Sequence, residues 1–126
     1  MFTQVEIMLY VKDPEKCAKF WTDQVGFALK EEGMGPDQTK SYLLAPNDKA
    51  DASLRLFDKE AIAKYSPEVD LATPSLLFSC ADVKSVRQQL LDKGVTVAEV
   101  VEMGDMETCN FADPEGHYFA FKSHKA

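Results

Sequence analysis

The chain is poor in several things, and each shortage closes a class of function. Its 126 residues contain no apolar run of the roughly 18 residues that a membrane-spanning helix needs. No basic region precedes the first apolar stretch in "MFTQVEIMLYVKD", so it does not read as a signal peptide, and a cytoplasmic location is expected. Basic residues are outnumbered: 14 Lys and Arg against 21 Asp and Glu give a net charge of −7. Phosphate binding needs a basic face, so nucleic acid is not the expected partner. The three cysteines, Cys17, Cys80 and Cys109, form no CxxC pair and read as reduced, small apolar residues. Only two histidines are present, and there is no glycine-rich phosphate loop and no Ser-His-Asp spacing.

What is present is a repeated grammar. "VEIMLYV" is a β-forming run. A helix follows, capped by Asp13, with Pro14 and Glu15 in its first turn. Its apolar stripe is Cys17, Phe20, Trp21 and Val25, and Gly26 ends it. "FALKEEG", "TKSYLLA" and "ASLRLFD" then read as strands, with "GMGPDQ" as a loop able to act as a lid. After Pro74 the order restarts. The strand "SLLFSC" leads to a helix capped by Asp82, with Val83, Val86, Leu90 and Leu91 inward and Gly94 at its end. The segments "VTVAEVVEM", "METCNFA" and "HYFAFKS" complete the second round. The strand-to-helix joins match ("YVKDPEKC" and "SCADVKSV"), and so do the helix exits ("QVGFALKEE" and "KGVTVAEVV").

The expected architecture is α+β: two βαβββ modules forming a curled, cup-shaped mixed sheet with helices on the outer faces. All 126 residues belong to one domain, with modules 1–60 and 73–126 joined by a connector, 61–72. Each sheet leaves one face bare, and alternate side chains line it.

The phrases "MLYVKDPEKCAKFWTDQVGF" and "NFADPEGHYFAF" carry a resemblance to the vicinal-oxygen-chelate superfamily. That superfamily includes glyoxalase I, extradiol dioxygenases, and the bleomycin and fosfomycin resistance proteins. "FWTDQVGF" is similar to the family's "FY…LGF", and "ADPEGH" to its turn before the last strand. The resemblance implies four metal-ligand slots, one on the first and one on the last strand of each module. Here they hold Glu6, Arg55, Ser75 and Ala120. Only Glu6 offers a good ligand; Ala120 cannot coordinate, Ser75 is a poor ligand, and Arg55 is a permanent cation without a lone pair. Glyoxalase-type metal chemistry is therefore not expected, and no cofactor, metal ligand or catalytic residue is assigned.

The resemblance places a small-molecule site in the cup. Alternation brings Met8 and Tyr10 with Glu6, Phe57 with Arg55, Leu77 with Ser75, and Tyr118 and Lys122 with Ala120. The lining is aromatic and apolar with a few polar groups, as such pockets are. Glu6 and Arg55 stand out. They either form a structural ion pair in place of the metal or anchor an anionic ligand. The expected function is a glyoxalase/bleomycin-resistance-like protein that binds a small molecule as a homodimer. The alternative is a metal-dependent lyase, isomerase or dioxygenase of the same superfamily.

Overall fold

The computed structural model describes residues 1–125. It divides the chain into two compact units, Met1–Pro74 and the residues from Ser75 onward.

In the first unit, β1 (Val5–Val11) leads into α1 (Pro14–Lys19). The Asp13 carboxylate caps α1 by accepting the Lys16 N–H. The helix then widens into a single π-helical turn, Phe20–Gln24, where the Val25 N–H reaches back to the Phe20 carbonyl. Gly26, at φ 87°, releases the chain in the left-handed region that glycine tolerates. The strands β2 (Ala28–Met34), β3 (Lys40–Ala45) and β4 (Ala52–Asp58) follow. The sheet order is β1-β4-β3-β2, with β1 and β4 parallel and the other pairs antiparallel.

Alternation splits this sheet into two faces. Leu9, Val11, Tyr42, Leu44, Leu54 and Leu56 are buried, and α1 packs on β3 and β4 with Cys17, Ala18, Phe20 and Trp21 buried. Val25 is only half-buried and Val5 is exposed, so neither belongs to that core. The helix α2 (Lys59–Tyr65) starts the stretch expected to be a connector. Asp58 caps it, accepting the Ala61 N–H, and buried Ala61 and Ile62 hold it against β1 and β4. The span 61–72 therefore begins as a packed part of the first unit.

The second unit repeats the order. It runs β5 (Leu77–Ser79), α3 (Val83–Asp92), β6 (Thr96–Val97), β7 (Val101–Met103), β8 (Met106–Ala112) and β9 (Tyr118–His124). Its sheet order is β5-β9-β8-β6, with β7 also on β8 and β5 parallel to β9. Phe111 centres the core, with ring centroids 5.9 Å from Phe119 and 6.0 Å from Phe121. From α3, Val83 and Leu90 are buried; Val86 is half-buried and Leu91, expected inward, is exposed. The run expected as one strand, "VTVAEVVEM", breaks between β6 and β7. There the Ala98 carbonyl turns aside to accept Arg87 Nε–H from α3 at 2.8 Å. All three cysteines are free thiols. The two βαβββ units are α+β modules of mixed sheet, as the repeat implies.

Candidate functional site

The first unit's sheet turns its second face away from the buried one. Along β1 that face carries Glu6, Met8 and Tyr10, and along β4 it carries Ser53, Arg55 and Phe57, because successive residues alternate. Register joins them into rows: Glu6 lies beside Ser53, Met8 beside Arg55, and Tyr10 beside Phe57. Leu43 of β3 continues the Arg55 row, and Glu31 of β2 completes it.

Arg55 is the centre of this face. Its Nε–H donates to Glu6 Oε1 at 2.7 Å and its Nη2–H to Glu31 Oε1 at 3.0 Å. The Arg55 side chain is 14% exposed, against 35% for Glu6 and 57% for Glu31. The hydrogen bond to Glu6, then that to Glu31, hold the guanidinium even further above its ordinary range, against the pull of burial. One cation thus bridges two carboxylates from strands on either side of it. Two of its N–H donors are occupied, and Nη1 points toward Gly33, where a Cβ would stand 3.7 Å away.

Glu31 escaped the sequence reading, and a β-bulge is the reason. Leu29 pairs with Leu44 and Glu31 with Leu43, so Lys30 is an extra residue in β2. A regular ladder would set Lys30 opposite Leu43 and aim a second cation at Arg55. The bulge substitutes a carboxylate, while Lys30 turns to Asp48, its Nζ 3.1 Å from that residue's carbonyl. The tandem Glu31-Glu32 was the available signal, but strict alternation could not say which one faces Arg55.

Next to the charge cluster, the Tyr10 and Phe57 rings lie nearly parallel, 6.5 Å apart at 18°. The tip of the β2–β3 hairpin approaches the Phe57 ring of this pair. A Cβ at Gly35 would stand 3.3 Å from the Phe57 ring and 3.1 Å from Thr39 Oγ1, so the missing side chain permits the approach. The "GMGP" stretch, expected to be a loop with a lid's freedom, is tied down. Asp37 accepts the Tyr65 hydroxyl and lies 3.4 Å from Lys64 Nζ, both on α2.

A superfamily metal would have to use Glu6 here, and the donor set does not fit it. The partner slot carries a guanidinium 2.7 Å from the Glu6 carboxylate, where a divalent ion would be repelled. Among the described residues, no cluster of three or more His, Cys, Asp or Glu is placed to hold a metal ion. In the second unit, Ala120 is apolar, and Ser75 lies before β5 on no strand, correcting the expectation that it occupies a strand slot.

Within the second unit, Leu77 pairs with Ala120 and Ser79 with Lys122. Leu77 is 56% and Tyr118 58% exposed, and Lys122 is half-buried. They share the sheet face opposite Phe119 and Phe121. His117 belongs to the turn before β9. Its Nδ1 lies 3.0 Å from the buried Asp113 carboxylate, whose other oxygen accepts the Glu115 and His117 N–H groups. Asp113 thus shapes the turn, and His117 is fixed by it. His124 is exposed at the chain's end.

Comparisons with known proteins converge. The description Glyoxalase/Bleomycin resistance protein/Dioxygenase superfamily matches residues 3–121. The uncharacterized protein YetH of Bacillus subtilis (strain 168) is 29% identical over 118 residues, covering 92% of this chain and 93% of its own. Among solved structures, TnmS3, an antibiotic binding protein from Streptomyces sp. CB03234, superimposes with a TM-score of 0.81. It is 24% identical, with 99% of this chain and 98% of that one covered. A glyoxalase/bleomycin resistance protein from the same organism gives a TM-score of 0.74 at 26% identity, covering 94% of this chain and 97% of its own.

Proposed function

The chain belongs to the Glyoxalase/Bleomycin resistance protein/Dioxygenase superfamily, and on that premise we propose that it binds a small organic molecule without a metal. The observation that carries this is Arg55 held between Glu6 and Glu31 in a metal slot, beside the parallel Tyr10–Phe57 rings. Met8, Tyr10 and Phe57 supply apolar contact, and Arg55 Nη1 supplies a donor for a ligand carbonyl or hydroxyl. The second unit has a sheet face of its own that carries Leu77, Tyr118 and Lys122. The likeness to a protein described as antibiotic binding supports a ligand of drug-like size.

The charge count favours a neutral or cationic ligand. One guanidinium facing two carboxylates leaves the cluster net negative, within a chain of net charge −7. An anionic ligand would have to displace Glu31, the more exposed of the two partners. The proposal extends to a cytoplasmic homodimer without a nucleic-acid partner. β1 and β5 end their sheets with unpaired edges that a second copy could cover.

A thermal-shift screen of flat aromatic compounds, matched as neutral, cationic and anionic forms, tests the reading. A ligand at 100 times its Kd adds about 2.7 kcal/mol. Hits should come from the neutral and cationic sets, and Phe57→Ala should abolish them. Hits that survive Phe57→Ala, or a stoichiometric divalent metal in protein purified without chelator, would overturn it. Sedimentation as a concentration-independent monomer would reject the dimer.

A further inference from the structure

In the second unit a cavity of about 440 Å³ opens beside the first turn of α3, lined in part by Asp82, Lys84, Glu102, Glu107 and Lys125. Glu107 is its recessed member. It pairs across the ladder with Ser123, whose Oγ accepts the Val83 N–H at 2.9 Å, so it lies beneath the start of the helix. The residue is 7% exposed and its side chain 9%. Its Oε2 is buried and accepts no hydrogen bond from the described residues. A buried acceptor without a donor is costly, and native proteins rarely leave one so.

Lys84 Nζ stands 3.5 Å from that oxygen, on a side chain that is 70% exposed. Charge-assisted hydrogen bonds run at about 2.7–2.9 Å, so this is an ion pair without a hydrogen bond. Lys84 marks the chemistry that suits the oxygen but does not satisfy it. The other charged groups of the lining have partners besides Glu107, and His124 Nδ1 lies 3.9 Å from Asp105. Lys125 Nζ is 3.1 Å from Glu102, and Asp82 Oδ1 accepts the Lys84 backbone N–H.

We propose that this cavity binds a primary alkylammonium group, with Glu107 as its anchor. The site is independent of the sheet face considered above. A carboxylate accepts only, so the occupant must donate. With the Lys84 ammonium displaced, the recessed oxygen admits only a slim chain ending in a compact –NH₃⁺. A quaternary ammonium lacks the N–H. A metal ion would need more ligands than Glu107 can recruit, since no group of three metal-binding residues occurs among the described residues.

Propylammonium chloride, tetramethylammonium chloride and propan-1-ol, titrated at fixed ionic strength into ¹⁵N-labelled protein, test the assignment. Propylammonium should give saturable amide shifts centred on Val83, Lys84 and Glu107, and the other two should not. Glu107→Gln should weaken binding about tenfold or more, as loss of a charge-assisted contact implies. Lys84→Met removes the internal competitor and should tighten it about threefold, the return of a weak exposed ion pair. Shifts that do not saturate, that tetramethylammonium reproduces, or that Glu107→Gln leaves unchanged would overturn the proposal. Should Glu107→Gln fail to fold, Lys84→Met decides alone: an affinity that does not rise refutes the site.

Discussion

Removing the guanidinium from the first unit tests the charge cluster most directly. Arg55→Met keeps the apolar stem and strands two carboxylates. Breaking a fully buried pair costs about 3–5 kcal/mol and breaking an exposed one about 0–1. The cluster lies between these limits, because Arg55 is 14% exposed while Glu6 is 35% and Glu31 57%. The Glu6 limb should carry about 1.5 kcal/mol and the Glu31 limb about 0.5, so Arg55→Met should cost about 2. Glu6→Gln should cost less, about 1, because Glu31 still holds the cation. The Glu6→Gln/Arg55→Met double variant should then fall short of the additive sum by roughly 1 kcal/mol. Equilibrium urea unfolding reads these values as midpoint shifts at constant slope. In 1 M salt, where the screening length is about 3 Å, the Glu31 limb should vanish first. Single effects that add to within about 0.3 kcal/mol would show that Glu6 and Arg55 do not interact in solution, and the site built on them would fall.

Other outcomes follow from the packing and the hairpin. Phe20→Ala and Leu90→Ala, each 4% exposed in its unit, should cost about 2–5 kcal/mol by urea unfolding. Gly33→Ala would press a Cβ to 2.9 Å from Ser41 Oγ, so it should destabilise, and Ser41→Ala in the same chain should recover most of the loss. The Tyr65 hydroxyl holds the Asp37 carboxyl below its ordinary value of 3.8, with Lys64 assisting. Because that pKa is depressed on folding, the tether is intact at neutral pH and is lost as pH falls below about 4 through the folded value. Tyr65→Phe should return the Asp37 titration, followed by carbon NMR, toward 3.8; an unchanged titration would mean that the tether does not form.

The repeat was legible because its punctuation is chemical. Asp13 and Asp82 each accept a backbone N–H at a helix start, and Gly26 and Gly94 adopt the left-handed backbone past a helix end. The Glu6–Arg55 contact was legible because the family's ligand slots fall on β1 and β4, and both strands alternate without interruption. What sequence could not show were events decided by a neighbour. The break between β6 and β7 depends on Arg87 reaching the Ala98 carbonyl from another element. A short helical start to "KEAIAKY" was legible, but its docking through Ala61 and Ile62 on β1 and β4 was not. Glu31 was hidden because one unpaired residue reverses every later assignment in its strand.

That reversal makes β2 a parity device. Deleting Lys30 would restore a regular ladder and still leave a carboxylate opposite Leu43, whereas deleting Glu31 would leave Lys30 there. Frame therefore decides charge: a carboxylate meets Arg55 only while Glu31, and not Lys30, stands opposite Leu43. An ancestor or relative lacking Lys30 would keep the clamp, and one lacking Glu31 would set two cations face to face.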